Sequence, residues 1–377
     1  MISAWLRQLG KRIDKFLLGI LLLTLLLALV VLFSASGQNP ERMSSQAVNI
    51  LIALGALWLF ANIPPQHLQR IAVPLYLLGM ILLVGVFLFG DTSKGAQRWL
   101  NLGVMRIQPS ELMKIAVPMM LAWYFDRRDQ SLRFLDYIFA AILLVLPVGL
   151  ILKQPDLGTA MLVLLTGITV IFFAGLSWKV VLPPVILGVI VVVWFILNQG
   201  SLCADGVQWQ IMRDYQQQRI CTLANPARDP LGAGYHTIQA TIALGSGGLA
   251  GKGWLHGTQS QLDFLPERHT DFILAVFGEE FGLIGNLLLL TLFAIIIGRG
   301  LVIAASGSTT FSRLLAGSIA SAFFIYAFVN MGMVSGILPV VGVPLPLISY
   351  GGTSLVTLMI GFGILMSIQT HKKLVQT

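Results

Sequence analysis

Long apolar runs separated by short polar connections make up most of this chain. A helix needs about 20 mostly apolar residues to cross a bilayer. Ten segments approach that length: 16–36, 46–63, 70–89, 109–125, 136–152, 157–175, 179–198, 271–298, 312–338 and 347–370. One long interval, 199–270, stays mostly polar and small. The pattern predicts an all-α integral membrane protein of about ten transmembrane helices, a single polytopic domain over 1–377, with a large loop between helices 7 and 8. The first run is too long for a cleaved secretory signal, and no small-residue cleavage site follows it.

Composition agrees with this pattern. Of 377 residues, 56% are hydrophobic and 11% charged, and the mean hydropathy is +0.84. Soluble domains carry about 25% charged residues, so much of this surface must face lipid. Basic residues in short loops set the orientation. With the N-terminus inside, the cytoplasmic side receives thirteen: Arg7, Lys11, Arg12, Lys15, Arg70, Arg127, Arg128, Arg133, Lys179, Arg299, Arg313, Lys372 and Lys373. The short outer loops receive five: Arg42, Lys94, Arg98, Arg106 and Lys153. Both termini are therefore expected in the cytoplasm, and the loops 90–108 and 199–270 outside. The net charge of +8 is mostly this topological signal and implies no nucleic-acid partner.

Cys203 and Cys221 both fall in the long outer loop, where an oxidising exterior permits a disulfide; two free thiols are the alternative. The same loop carries Gly245, Gly247, Gly248, Gly251 and Gly253, which suit either turns or a phosphate-cradling backbone, although the spacing matches no nucleotide fingerprint. Between the last two runs, residues 336–352 hold three prolines and four glycines. That stretch cannot form one continuous helix. It reads as a broken or re-entrant element beside an outward cavity, or as an ordinary apolar outer loop.

Ionisable residues in or near membrane spans are costly and mark candidate sites. Glu111 and Lys114 open the fourth run, three residues apart and so on one helix face. Asp156 precedes the sixth run, and Asp271 starts the eighth; Glu279 and Glu280 lie two to three turns further along it. If Pro266 opens a helix, Glu267 and Asp271 share a face, with Arg268 and His269 beside them at the cavity rim. Each acid has a plainer reading as an ion pair or helix cap. Five histidines and two cysteines show no zinc spacing. No G-x-S-x-G elbow appears in the sequence, and the absence of a P-loop argues against an ATP-driven pump.

Seven segments in order resemble the SEDS family (shape, elongation, division and sporulation): Lys94-Gly-Ala-Gln-Arg-Trp-Leu100, Gln108-Pro-Ser-Glu111, Gln154-Pro-Asp-Leu-Gly-Thr159, Asp229-Pro-Leu-Gly-Ala-Gly-Tyr-His236, Gly257-Thr-Gln-Ser-Gln261, Leu265-Pro-Glu-Arg-His-Thr-Asp-Phe272 and Pro344-Leu-Pro-Leu-Ile-Ser-Tyr-Gly-Gly352. The stretch Gly332-Met-Val-Ser-Gly-Ile-Leu-Pro-Val-Val-Gly-Val-Pro344 is closest to the elongation, or rod-shape, branch rather than the division branch. The resemblance covers essentially the whole chain. It departs at 199–210, which looks longer and more polar than usual.

The resemblance implies an inverting peptidoglycan glycosyltransferase acting on lipid II, with undecaprenyl pyrophosphate leaving. The candidate general base is Asp271, and the candidate substrate-binding residues are Arg98, Trp99, Glu111, Lys114, Asp156, Glu267, Arg268 and His269. These residue types suit the chemistry: an alcohol nucleophile needs a carboxylate to take its proton, and a departing pyrophosphate needs cations. Arg98, Lys114, Lys252 and Arg268 are candidates for that second role, as is a divalent cation, Mg or Mn, although no protein-only metal site is evident. Trp99 could stack on a sugar or anchor the interface. The expected partners are a class B penicillin-binding protein transpeptidase and the elongation (rod) complex, in the bacterial inner membrane with the site facing the periplasm. Two alternatives stand beside the enzyme: a lipid II flippase, which would need polar residues through the inner half, and a pure scaffold, which leaves the outer carboxylates unexplained.

Overall fold

The computed structural model describes residues 13–93, 96–101, 106–128, 132–204, 207, 209, 214–228, 233–262, 264–265 and 267–371. The helices are α1 Lys15–Ala35, α2 Pro40–Ala61, α3 Pro65–Phe89, α4 Pro109–Arg128, α5 Phe134–Lys153, α6 Leu157–Phe173, α7 Trp178–Leu202, α8 Asp214–Ala224, α9 Ala233–Ser246, α10 Thr258–Gln261, α11 Ile273–Ala305, α12 Thr310–Val334 and α13 Gly352–Thr370. Eight of them are long and apolar enough to cross a membrane. The remaining two expected segments are helices as well. α4 carries Glu111, Lys114, Asp126, Arg127 and Arg128, and α6 is a shorter apolar helix of 17 residues. Both pack within the bundle, α4 against α3, α6 and α12, and α6 against α5 and α12. The protein is thus a multi-pass helical membrane protein.

Several boundaries differ from the apolar runs because capping, not hydropathy, sets them. α2 begins at Pro40, six residues before the run, since Asn39 accepts from the Glu41 and Arg42 N–H groups at 2.9 and 3.2 Å and proline suits the first turn. The outward faces stay apolar, as Leu23, Leu26, Leu51 and Ile81 show, which is the surface lipid requires. α7 carries no buried residue at all. A helix apolar all round must be coated by lipid if protein does not cover it.

The two long intervals 90–108 and 199–270 are more ordered than a polar reading suggests. Within 90–108 lie three antiparallel strands, β1 Asp91–Ser93, β2 Ala96–Asn101 and β3 Arg106–Ile107, in the order β1-β2-β3. The long loop contains α8, α9 and α10, and Cys203 at the end of α7 is disulfide-bonded to Cys221 in α8. Lys94, Pro266 and the motif residues 229–232 lie outside the described residues, as do Arg7, Lys11, Arg12, Lys372 and Lys373.

The glycine-rich stretch has a specific structural task. α11 is broken at Gly282 (φ 63°, ψ −159°), which frees backbone groups on both sides of the break. The Leu283 and Ile284 N–H groups donate to the Gly248 and Leu249 carbonyls at 2.9 and 3.1 Å. In return, the Lys252 and Gly253 N–H groups donate to the Glu279 and Glu280 carbonyls, both at 3.0 Å. The loop thus replaces the helix's own bonds, as irregular backbone at membrane depth demands. A Cβ at Gly247 would lie 2.0 Å from the Gly278 carbonyl oxygen, so only glycine permits this approach. Gly248, Gly251 and Gly253 have positive φ, as the turn reading expects, and Gly245 lies within α9.

Candidate active site

Residues 267–272 form a turn, not the first turn of a helix. Glu267 has φ 51°, the Thr270 and Phe272 N–H groups both donate to its carbonyl, and α11 starts only at Ile273. Glu267 and Asp271 therefore do not share a helix face, which corrects the sequence expectation. Within the turn, the Thr270 hydroxyl donates to Glu267 Oε2 at 2.9 Å.

This turn is clamped through three successive carbonyls. The Tyr350 N–H donates to His269 O at 2.9 Å, Ser349 Oγ to Thr270 O at 2.5 Å, and Asn330 Nδ2 to Asp271 O at 2.8 Å. The donors come from α12 and from 336–351, which is irregular throughout, as its prolines dictate. Ser349 also accepts from the Leu345 N–H at 2.8 Å, and Asn330 donates to Val343 O at 2.7 Å, so the clamp itself is braced. The Asp271 side chain is partly exposed and faces Gly342, where a Cβ would stand 3.4 Å from its Oδ2. His269 lies beside Tyr350, with ring centroids 5.9 Å apart.

A second cluster assembles where β2 meets the starts of α4 and α6. Asp156 caps α6 by accepting from the Thr159 N–H at 3.2 Å. Its Oδ2 accepts from Gln108 Nε2 at 3.3 Å and lies 3.9 Å from Arg98 Nε, while Arg98 Nη2 donates to Pro155 O at 2.9 Å. Trp99 follows on β2, partly exposed. Glu111 and Lys114 are paired at 2.6 Å with side chains 14% and 9% exposed, and Lys114 lies over the Tyr326 ring at 5.1 Å. The segment 341–343 runs between the two clusters: a Cβ on Gly158 of α6 would lie 2.8 Å from Val341 O, and Gly342 faces Asp271. The structure thus places Arg98, Trp99, Glu111, Lys114 and Asp156 on one side of this segment and the 267–271 turn on another.

Two cationic candidates are committed to the loop fold. Lys252 pairs with the buried Glu279 at 2.7 Å and donates to Thr258 Oγ1 at 2.7 Å. Glu279 also accepts from the Gln259 and Ser260 N–H groups at 3.0 and 3.3 Å, and Arg268 Nη1 donates to Ser260 O. Glu280 accepts from Ser34 Oγ of α1. The deep acids are therefore anchors of the loop that splices the broken helix.

Sequence reasoning missed Asn330, Tyr326, Gln108 and His236. A lone asparagine in an apolar run was the one available signal for the first. The His236 ring stacks on Phe272 (centroids 5.7 Å apart, planes at 14°) and its buried Nδ1 has no hydrogen-bond partner. Burial holds its pKa below the ordinary histidine range, with Glu267 opposing. Among the described residues, no group of three His, Cys, Asp or Glu side chains could hold a metal ion.

Comparison with known proteins agrees with this architecture. The profile of the FtsW/RodA/SpoVE family, described as "Cell cycle protein", matches residues 14–374. The Escherichia coli (strain K12) "Peptidoglycan glycosyltransferase MrdB" is 51% identical over 364 residues, covering 96% of this chain and 95% of the relative. The "Probable peptidoglycan glycosyltransferase FtsW" of Geobacter metallireducens is 35% identical over 378 residues, covering 96% and 97%. A chain from a solved "peptidoglycan synthase complex" superposes with a TM-score of 0.78 at 30% identity, covering 95% of this chain and 97% of that one. The crystal structure of Thermus thermophilus "Rod shape determining protein RodA" gives 0.68 at 27%, covering 95% and 96%. With the match spanning the bundle, the sheet and both clusters, the chain belongs to the FtsW/RodA/SpoVE family, the SEDS proteins that its motifs resemble.

Proposed function

We propose that this protein is a peptidoglycan glycosyltransferase that polymerises lipid II into β-1,4-linked glycan strands during cell elongation. The site would face the periplasm from the inner membrane, with both termini cytoplasmic. One observation carries the reading: the partly exposed Asp271 sits on a turn whose three preceding or own carbonyls are all clamped. A general base must lie within hydrogen-bond reach of the proton it takes, which demands such fixation. Relatives named as peptidoglycan glycosyltransferases support the activity.

In this reaction the 4-hydroxyl of an N-acetylglucosamine attacks the anomeric carbon of an N-acetylmuramic acid borne on undecaprenyl pyrophosphate. The new C–O bond forms as the bond to pyrophosphate breaks, inverting α to β. The hydroxyl proton passes to Asp271, and the electron pair leaves with the pyrophosphate. Arg98 is the cation best placed to meet that charge, because its side chain is 36% exposed and stands 3.9 Å from Asp156, whereas Lys114 and Lys252 are closed onto carboxylates at 2.6 and 2.7 Å. Trp99, next to it, would offer a sugar-stacking face. Glu267 and His269 flank the base on its turn and would line the approach. A Mg or Mn ion at the pyrophosphate would take its ligands largely from phosphates and water.

The membrane-facing groove between α11 and α12, about 970 Å³ and lined by Leu283, Leu290, Phe293, Phe324, Phe328 and Met331 among others, suits the single span of a class B penicillin-binding protein. The structural neighbour described as coordinating polymerization and crosslinking supports such a partner. Transport of lipid II is less well supported. At the inner ends of the helices, Asp14 pairs with Arg299 at 2.6 Å, and Asp126 accepts from Gln69 and the Phe311 N–H at 2.6 and 2.8 Å. These are links between helices, not a polar path.

The test is polymerisation of purified lipid II by the protein with a transpeptidase shown to be inactive as a polymerase. Wild type should make polymer, and folded Asp271→Ala none. Equal polymer from both would remove Asp271 as the base, and none from either would favour transport.

A further inference from the structure

Asn330 lies on α12 with 0% exposure, in a helix otherwise dominated by apolar and small residues. A buried carboxamide at membrane depth is costly unless it is used. Here both hydrogens of Nδ2 leave the helix, one to Asp271 O at 2.8 Å and one to Val343 O at 2.7 Å. Both partners are acceptors, so turning the amide over would set its oxygen against two carbonyls. Its Oδ1 is buried without a hydrogen-bond partner, which helix packing alone would not require. The two carbonyls belong to the residue carrying the candidate base and to the segment whose Gly342 faces that carboxylate. One turn back on α12, Tyr326 faces Lys114 of the second cluster.

We propose that Asn330 is a positioning residue for glycosyl transfer: its carboxamide ties the Asp271 backbone to Val343 and so fixes where the carboxylate stands. The proposal rests on the reading of Asp271 as base. Asn330 touches no substrate and exchanges no proton. Its effect is geometric, and a displacement of about 1 Å at a catalytic group can lower a rate about 10²-fold. An apolar residue of the same size would fill the space and hold neither carbonyl. Serine would retain one donor.

The experiment compares wild type, Asn330→Leu, Asn330→Ser and Asp271→Asn, each with the partner transpeptidase, in initial-rate polymerisation of lipid II. Each variant is first required to be monodisperse and to melt well above the assay temperature. Asn330→Leu is expected to lose about 10- to 100-fold in kcat with KM within about twofold, Asn330→Ser to recover part of the loss, and Asp271→Asn to be inactive. A folded Asn330→Leu with kcat within twofold of wild type, beside an inactive Asp271→Asn, overturns the positioning role alone. A rise in KM with unchanged kcat also overturns it, because that pattern marks a binding residue. If Asn330→Leu does not fold, Asn330→Ser decides, and full activity there refutes the proposal. An active Asp271→Asn overturns the underlying assignment of the base instead.

Discussion

Replacing Gly251 with alanine should destabilise the N-terminal part of α11, and the size of the effect can be worked from the backbone. Gly251 has φ 80°, and a Cβ there would lie 2.1 Å from the Glu280 carbonyl oxygen. The left-handed conformation alone costs a non-glycine residue about 1–2 kcal/mol. The contact is backbone to backbone, so no rotamer relieves it and the loop must move away from α11. Separation breaks the bonds from Lys252 N to Glu279 O and from Gly253 N to Glu280 O, both 3.0 Å. Each buried group left unpaired costs about 1–3 kcal/mol. The total, about 3–8 kcal/mol with one unpaired group counted per broken bond, is a large part of the 5–15 kcal/mol that typically holds a domain together. Gly245→Ala is the matched control, since nothing lies within 4 Å of a Cβ there and the residue sits in α9. Alanine in a helix should be neutral or stabilising by up to about 1 kcal/mol. Both variants would be followed by thermal unfolding in detergent and by the monodisperse fraction after purification. Melting of Gly251→Ala at the same temperature as Gly245→Ala would refute the account of α11 as a broken helix spliced by this loop.

Two further outcomes follow from buried groups. Lys114→Met should destabilise by about 3–5 kcal/mol, because it leaves Glu111 without the ammonium 2.6 Å away, whereas Glu111→Gln with Lys114→Met should recover most of the loss; equal melting of single and double variants would sink this. His236 should make stability pH-dependent: its folded pKa lies below that of the unfolded chain, about 6.5, so the unfolded state binds the proton more readily. Stability should hold above that pH and fall as pH drops through it, and His236→Phe, which keeps an aromatic ring against Phe272, should flatten the fall in melting temperature between pH 7.5 and 5.5.

The membrane architecture was legible because a helix that crosses a bilayer needs a long apolar run, which the sequence displays directly. Runs such as 179–198 read as spans, and Trp178–Leu202 is one without a single buried residue. Glu111 with Lys114 was legible too, since i,i+3 spacing on a helix places side chains without knowledge of the fold. Asp156 at the start of α6 belongs with them, as an N-cap is a local feature. What failed was local geometry set by distant partners. Glu267 and Asp271 have helical spacing, yet bonds from Ser349, Tyr350 and Asn330, 59 or more positions away in sequence, hold that stretch as a turn. The glycines at 247–253 were ambiguous for the same reason. Their task depends on a break at Gly282 that no periodicity reveals, because the apolar pattern of α11 runs on through it.

The same contrast explains why the candidate base stands on a turn between helices. Inside a helix every carbonyl is engaged by the N–H four residues on, so a neighbouring element can grip a helical residue only by its side chain. A catalytic side chain cannot serve as both handle and tool. In the 267–272 turn the carbonyls of His269, Thr270 and Asp271 are free of helical bonds and become the handles, leaving the Asp271 carboxylate to face Gly342. Each handle needs a donor from elsewhere, and two of the three come from the proline-rich segment, which itself cannot be helical. The irregular backbone at 336–351 is thus the counterpart of the irregular backbone at 267–272. Straightening either into helix would consume the groups that join them and release the carboxylate from its place.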